Sequence, residues 1–204
     1  MDSIIKETCY KGTRILLGNE KQEYLQKCRE LLKEKGFTEI QIPIIQHVEI
    51  FAEKVGEENN NMMYNFKDRG ERDLCLAPEY TSVVQKLSDT YFKNQKDVKL
   101  FYVAECFRGE KPQNGRYRQF TQLGIEILNP SKEYLEDLIS LSMQLTRGFS
   151  VNYMKDVQRG LDYYKGDTFE LENKASGLSV CGGGAYENGI GFAIGVDRLL
   201  FSAK

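Results

Sequence analysis

The segment 107–126, FRGEKPQNGRYRQFTQLGIE, gathers most of the side chains in this sequence that could do chemistry. From Arg108 to Arg118, four basic residues (Arg108, Lys111, Arg116, Arg118) stand against one acid, Glu110. Pro112 and Gly115 constrain the shape of this loop. Guanidinium forks at its two ends can hold the oxygens of one polyphosphate from opposite sides, a task that suits them better than ammonium groups. A solvated basic hairpin tip is the alternative for this segment alone. The following strand narrows the choice. A period of two puts Phe120, Gln122, Gly124 and Glu126 on one face, and Leu123, Ile125 and Ile127 on the other. The apolar face is core. The other face carries an aromatic, an amide, a glycine and a carboxylate, and bare Gly124 predicts room for a group lying over the sheet. A merely wet sheet face accounts for Gln122 and Glu126 but gives Phe120 and Gly124 no role.

Three further segments carry candidates. QRGLDYY (158–164) joins Arg159 to Tyr163 and Tyr164, either as part of a site or as a strand-turn junction with core aromatics. GGGAY (182–186) lets a backbone approach a ligand closely, or forms a glycine-lined bend between sheet and helix. It is not a dinucleotide fingerprint, because no βαβ context surrounds it. Arg198 follows GFAIGVD among apolar residues, so it is either ion-paired structurally or reaching into a site.

The positioning elements follow from periodicity. Residues 20–35 place Tyr24, Leu25, Cys28, Leu31 and Leu32 on one helical stripe that Gly36 ends. Residues 37–42 alternate like a strand, running into Pro43. Residues 63–66 and 73–76 read as a hairpin, Pro78 as the opening of a helix with Val83, Val84, Leu87 and Tyr91 on its stripe, and 99–107 and 119–128 as strong strands. Residues 132–147 carry Tyr134, Leu135, Leu138, Leu141 and Leu145 at helical spacing; short strands near 149–153, 167–172 and 178–182 follow, then a Gly-rich bend and a helix from about 191. Strands in hairpins with a few helices predict an α+β fold, a mostly antiparallel sheet flanked by helices.

Composition removes several classes. The chain has 204 residues and a formal charge of −2, so no global basic field holds nucleic acid. No apolar run approaches the roughly 20 residues of a membrane helix, and no secretory signal is visible. The five cysteines are scattered and His47 is the single histidine, which argues against a metal site and against Ser/His or Cys/His catalysis. Free thiols and a cytoplasmic location are expected.

Taken together, these segments resemble the class II aminoacyl-tRNA synthetase catalytic domain, and specifically the histidyl-tRNA synthetases, over nearly the whole chain. Residues 37–51, with Pro43, look like motif 1, which builds the dimer interface in that class; FRGEKPQNGRYRQF looks like motif 2 and GIGFAIGVDRLL like motif 3. RGLDYYKGDTFE and GGGAY resemble two segments specific to the histidine enzymes. The resemblance implies ATP and Mg2+, histidine as substrate, tRNA as a possible acceptor, and a homodimer. It implies that Arg108 holds the α-phosphate and the substrate carboxylate, Glu110 the adenine amino group and Arg116 the terminal phosphates. Phe120 and Arg198 would sandwich the adenine. Arg159 would stabilise charge on the reacting phosphate. Glu79, Thr81 and Gln122 would hold the α-amino group, while Glu126 and Tyr164, with Tyr163 close by, would bind the imidazole.

Departures accompany the resemblance. Where the family usually reads Arg-Pro-Glu-Gly-Thr, this sequence has Ala77-Pro78-Glu79-Tyr80-Thr81. Ala185-Tyr186-Glu187 replaces Arg-Tyr-Asp, Thr121 stands where many bacterial members have His, and Asp197 precedes the motif 3 arginine in place of Glu. The family also carries an anticodon-binding domain after motif 3 and an insertion after motif 2. Residues 1–204 are expected to form a single catalytic domain without either. Two other functions remain compatible: an adenylating enzyme with a non-tRNA acceptor, and a histidine-binding module similar to the synthetase-like regulatory subunit of ATP phosphoribosyltransferase.

Overall fold

A computed structural model describes residues 4–5, 9–52, 54, 60–113, 115–157 and 163–201. Helix α1 (Glu20–Glu34) buries Leu25, Cys28 and Leu32, and Gly36 at φ +81 closes its C-terminus in the left-handed conformation that glycine adopts cheaply. Strands β1 (Ile4–Ile5) and β2 (Ile15–Leu16) pair antiparallel with each other. The alternating run after α1 yields only a two-residue strand, β3 (Thr38–Glu39), because its partner offers a single short parallel register. Strands β4 (Ile45–His47), β5 (Tyr64–Lys67) and β6 (Asp73–Leu76) form a small sheet in the order β4-β6-β5.

Helix α2 (Thr81–Thr90) starts three residues beyond Pro78 rather than at it. Val83 and Val84 are buried, but Tyr91 is 75% exposed, since the helix has ended and the stripe no longer applies. The long strands β7 (Val98–Phe107) and β8 (Gln119–Leu128) pair antiparallel through ten residues each, with Tyr102 opposite Gly124. Helix α3 (Leu135–Leu145) and strand β9 (Val151–Lys155) then lead to β10 (Tyr164–Asn173).

The glycine-rich stretch is not a bend. It forms two full strands, β11 (Ser179–Tyr186) and β12 (Gly189–Gly195), and the last helix, α4, covers only Val196–Phe201. The strand expected near 178–182 is the first part of β11, whose three successive glycines hide the rest, while β12 alternates in place of the expected helix start, with Ile190, Phe192 and Ile194 in the core. Among the described residues, the main sheet runs β3-β7-β8-β12-β11-β10-β9. One face packs Leu123, Ile125 and Ile127 against α1, α3 and α4. The other packs Tyr102, Cys106 and Tyr186 against α2 and its neighbours. The site strand β8 is thus buried on both sides and central to the sheet. No helix among the described residues is long and apolar enough to cross a membrane.

Candidate active site

The second face of β8 presents its side chains in the order the sequence implies. Phe120 and Gln122 line a cavity with Arg108, Glu110, Tyr117 and Arg198. Arg108 donates Nε–H to the Pro78 carbonyl at 2.9 Å, and its guanidinium carbon lies 5.4 Å from the Phe120 ring centroid. Arg198 enters from α4. It donates to the Gly115 carbonyl at 2.7 Å and to the Ser179 carbonyl at 2.6 Å, so it ties the basic loop to the head of β11. Burial is the main reason its pKa is lowered. Arg116 does not line this cavity. It stands beside Glu110, with an N–O separation of 3.8 Å, on an adjoining cavity that shares Tyr117.

Further along β8 the site turns acidic and fully buried. Glu126 Oε1 accepts the Thr81 hydroxyl and Oε2 the Tyr186 hydroxyl, both at 2.8 Å. Burial pushes its carboxyl up to about 8, against the pull of those two hydrogen bonds. Glu79 is also buried and raised, chiefly by desolvation. Its oxygens accept the backbone N–H of Thr81 at 2.7 Å and of Ser82 at 3.1 Å, so it caps the N-terminus of α2 from the preceding turn. Gln122 Oε1 lies 3.4 Å from both the Tyr102 hydroxyl and Cys106 Sγ. The space expected above Gly124 is filled: a Cβ there would collide with the Tyr102 ring, so the glycine serves the phenol and not a ligand.

Two glycines paired across β11 and β12 likewise make room for neighbouring side chains. A Cβ on Gly184 would lie 3.1 Å from Tyr164 Cδ1, and one on Gly191 would lie 2.5 Å from the Ile125 carbonyl oxygen and closer still to Glu126 Oε2. The Tyr164 ring and the Glu126 carboxylate therefore flank one bare backbone patch. Tyr163 is buried with its ring centroid 4.7 Å from that of Tyr164 and 6.2 Å from that of Tyr186. A carboxylate with phenols close by offers the donors and acceptors that suit a ring with two nitrogens. Arg159 lies outside the described residues.

The two buried acids carry a pH signature. The folded protein keeps Glu126 protonated up to about pH 8, whereas an ordinary glutamate releases its proton near 4.5. The stability this adds is complete below about 4.5 and is lost as pH rises through about 8. The ligand-free protein should therefore melt at a lower temperature at pH 8 than at pH 5, and Glu126→Gln should flatten that dependence in paired thermal melts. An unchanged slope in the variant would place the titration elsewhere.

A profile described as histidyl-tRNA synthetase matches residues 18–155, about two thirds of the chain. The chain belongs to the histidyl-tRNA synthetase family. A histidine–tRNA ligase of Methanocaldococcus jannaschii is 38% identical over 154 residues, covering 74% of this chain and 37% of that protein. One from Archaeoglobus fulgidus is 35% identical over 157 residues, covering 72% and 37%. The chain thus spans little more than a third of these curated relatives. Among solved structures, S. aureus histidyl-tRNA synthetase superposes with a TM-score of 0.75 at 25% identity over 96% of this chain and 69% of that one. A Bacillus halodurans structure titled ATP phosphoribosyltransferase regulatory subunit/histidyl-tRNA synthetase gives 0.79 at 14% identity over 98% and 83%, a likeness of fold.

As a histidyl-tRNA synthetase family member, this chain adds two site residues that sequence reading passed over. Tyr186 was inside the quoted GGGAY stretch, and a period of two from Gly184 puts it on the site face. Tyr102 needed the β7–β8 register, which no local pattern carries. The family departure at Tyr80 is also explained structurally. Its ring is fully buried, tilted against Tyr102 at 5.4 Å, and its hydroxyl donates to the Glu105 carbonyl at 2.9 Å, so it fills the inner wall behind the pocket.

Proposed function

We propose that this chain joins histidine to ATP, forming histidyl-adenylate and pyrophosphate. The observation that carries the reading is the single β8 face running from Phe120 to Glu126, which ends in an aromatic and arginine-lined cavity on one side and a buried carboxylate among phenols on the other. Adenine lies between Phe120 and Arg198, with Glu110 near its amino group. Arg108, at the mouth between the two halves, faces both the α-phosphate and the incoming carboxylate. One histidine carboxylate oxygen attacks the α-phosphorus as the bond to the bridging β-phosphate oxygen breaks, and pyrophosphate leaves with that electron pair. Fixed cationic donors favour this step because charge moves onto oxygens they already face.

Among the described residues, no group of three or more His, Cys, Asp or Glu side chains is arranged to hold an ion. Mg2+ held chiefly by the triphosphate would offset charge there and would need few protein ligands. On the other side, Glu79, Thr81 and Gln122 offer acceptors to the α-ammonium, and Glu126 with Tyr164 brackets the imidazole. Arg159 completes the phosphate clamp by the family resemblance. Transfer to tRNA is the second step of this reading.

Histidine-dependent exchange of labelled pyrophosphate into ATP tests the first step. Exchange should appear with histidine and Mg2+ and not with other amino acids. Histidine binding without any exchange would replace the enzyme by a histidine-binding regulator. Charging of total tRNA then separates a tRNA acceptor from another one. Within this scheme, Arg198→Ala should raise the ATP KM by about tenfold or more while leaving the histidine KM nearly unchanged, since it removes a cation facing the adenine and the tie between the basic loop and β11.

The small sheet supports a dimer. Ile45 is paired through Leu76 to Tyr64, and Phe66 follows two residues on, so these side chains share one face. Ile45 is 53% exposed and Phe66 is also exposed, while Cys75 on the opposite face is fully buried. An apolar sheet face of this kind calls for a cover, and residues 37–51 are where the family resemblance places the partner copy. Light scattering should give twice the chain mass at micromolar concentration; a stable monomer would remove this part of the proposal.

A further inference from the structure

Arg14 lies in the segment before β2, far in sequence from every residue assigned to the site. Its side chain is 4% exposed and pairs with Asp197, NH2 to Oδ1, at 2.6 Å. Its guanidinium carbon sits 3.4 Å from the centroid of the Tyr117 ring. Asp197 is itself buried, on the first turn of α4, immediately before Arg198. Its other oxygen, Oδ2, accepts the backbone N–H of Thr121, between Phe120 and Gln122. The Thr121 hydroxyl donates to Glu105 Oε1, and Lys21 Nζ lies 3.4 Å from Asp197 Oδ1 and 3.5 Å from Glu105 Oε1.

One buried guanidinium therefore reaches, through a single contact each, three parts of the nucleotide cavity. It backs the Tyr117 ring directly. It fixes the carboxylate that holds the β8 backbone between Phe120 and Gln122. It anchors Asp197, the residue immediately before Arg198 on α4. Two of its donors, Nε and NH1, have no hydrogen-bond partner. Burying those donors is costly, and a lysine would satisfy the ion pair alone without them. Only the planar guanidinium can both pair with Asp197 and stack on Tyr117.

We infer that Arg14, acting through Asp197, is a positioning residue for the nucleotide half of the site. The inference rests on reading that cavity as the ATP site. It predicts a split between the two substrates: the imidazole end of β8, around Glu126, has no contact with this network and stays in place when the network is weakened.

The test uses Arg14→Lys, which keeps the ion pair and releases Tyr117, and Asp197→Asn, which removes the charge but keeps an oxygen near Thr121. ATP and histidine binding are measured by calorimetry, pyrophosphate exchange by kinetics, and the Thr121 amide by heteronuclear NMR. Arg14→Lys should melt near the wild type, whereas Asp197→Asn leaves a buried cation without its partner and should melt lower. ATP should bind about tenfold more weakly in Arg14→Lys and more weakly still in Asp197→Asn, with histidine binding within about twofold of wild type. The Thr121 amide proton should move upfield in Asp197→Asn. Unchanged ATP binding in both variants overturns the inference, and so does a parallel loss of ATP binding, histidine binding and melting temperature, which would make Arg14 merely structural. A wild-type protein that binds ATP in an Arg14-dependent way without exchange sinks the activation reading and leaves this one standing. No ATP binding by the wild type sinks both.

Discussion

Glu126→Gln should lower kcat/KM for histidine in pyrophosphate exchange on the order of 10³-fold, while leaving ATP affinity within about twofold. The carboxylate accepts two hydroxyl hydrogens, from Thr81 and Tyr186, and has lone pairs left for a ring N–H. An amide in its place turns an NH2 group toward one of those hydroxyls and cannot give up a proton to meet an imidazole N–H, as the carboxyl can once histidine is bound. A pocket built to satisfy polar groups rejects strongly when one of them loses its match. The fold should not suffer. Burial already favours the neutral form of Glu126, and glutamine resembles that form. The variant should therefore be at least as stable as wild type at pH 8. Loss of stability alongside activity would mean that Glu126 is a structural acid and not a recognition group.

The second large effect is expected at Gly191. A Cβ there would lie 2.5 Å from the Ile125 carbonyl oxygen and would overlap Glu126 Oε2. The first neighbour is backbone in the centre of the sheet, so it cannot swing aside. Gly191→Ala should cost on the order of 3 kcal/mol, roughly a 6–12 °C fall in Tm for a chain of this size. Whatever folds should bind histidine poorly, because Glu126 must leave its position between Thr81 and Tyr186. Gly195→Ala is the control: its Cβ would meet nothing nearer than 3.8 Å, so its Tm should stay close to wild type. Equal Tm values for the two variants would show that the β8–β12 spacing is looser than described.

These two residues also show how far the sequence could be read. Glu126 was legible because β8 alternates cleanly, and its apolar partners Leu123, Ile125 and Ile127 pack against the helices as their period requires. The helical stripes of α1 and α3 were legible for the same reason. Gly191 was not. Its strand alternates, with Ile190, Phe192 and Ile194 in the core, but the bare face opposite gives no sign that it makes room for a carboxylate on the neighbouring strand. The role expected for Gly124 failed similarly, since the phenol that fills its space is set by the β7–β8 register. Glu79 was placed in the site by resemblance, but its capping of α2 is a matter of local geometry. The Arg14–Asp197–Thr121 connection spans most of the chain and leaves no trace in spacing.

The central claim is that the two halves of the β8 face act on one pair of substrates. A single-turnover experiment with ATP labelled at the α-phosphate, excess protein, Mg2+ and histidine, quenched in acid and resolved by chromatography, tests it most directly. The account predicts histidine-dependent conversion of the label to histidyl-adenylate, abolished by Arg108→Ala and strongly reduced by Glu126→Gln. Intact ATP in the presence of stoichiometrically bound histidine would contradict it.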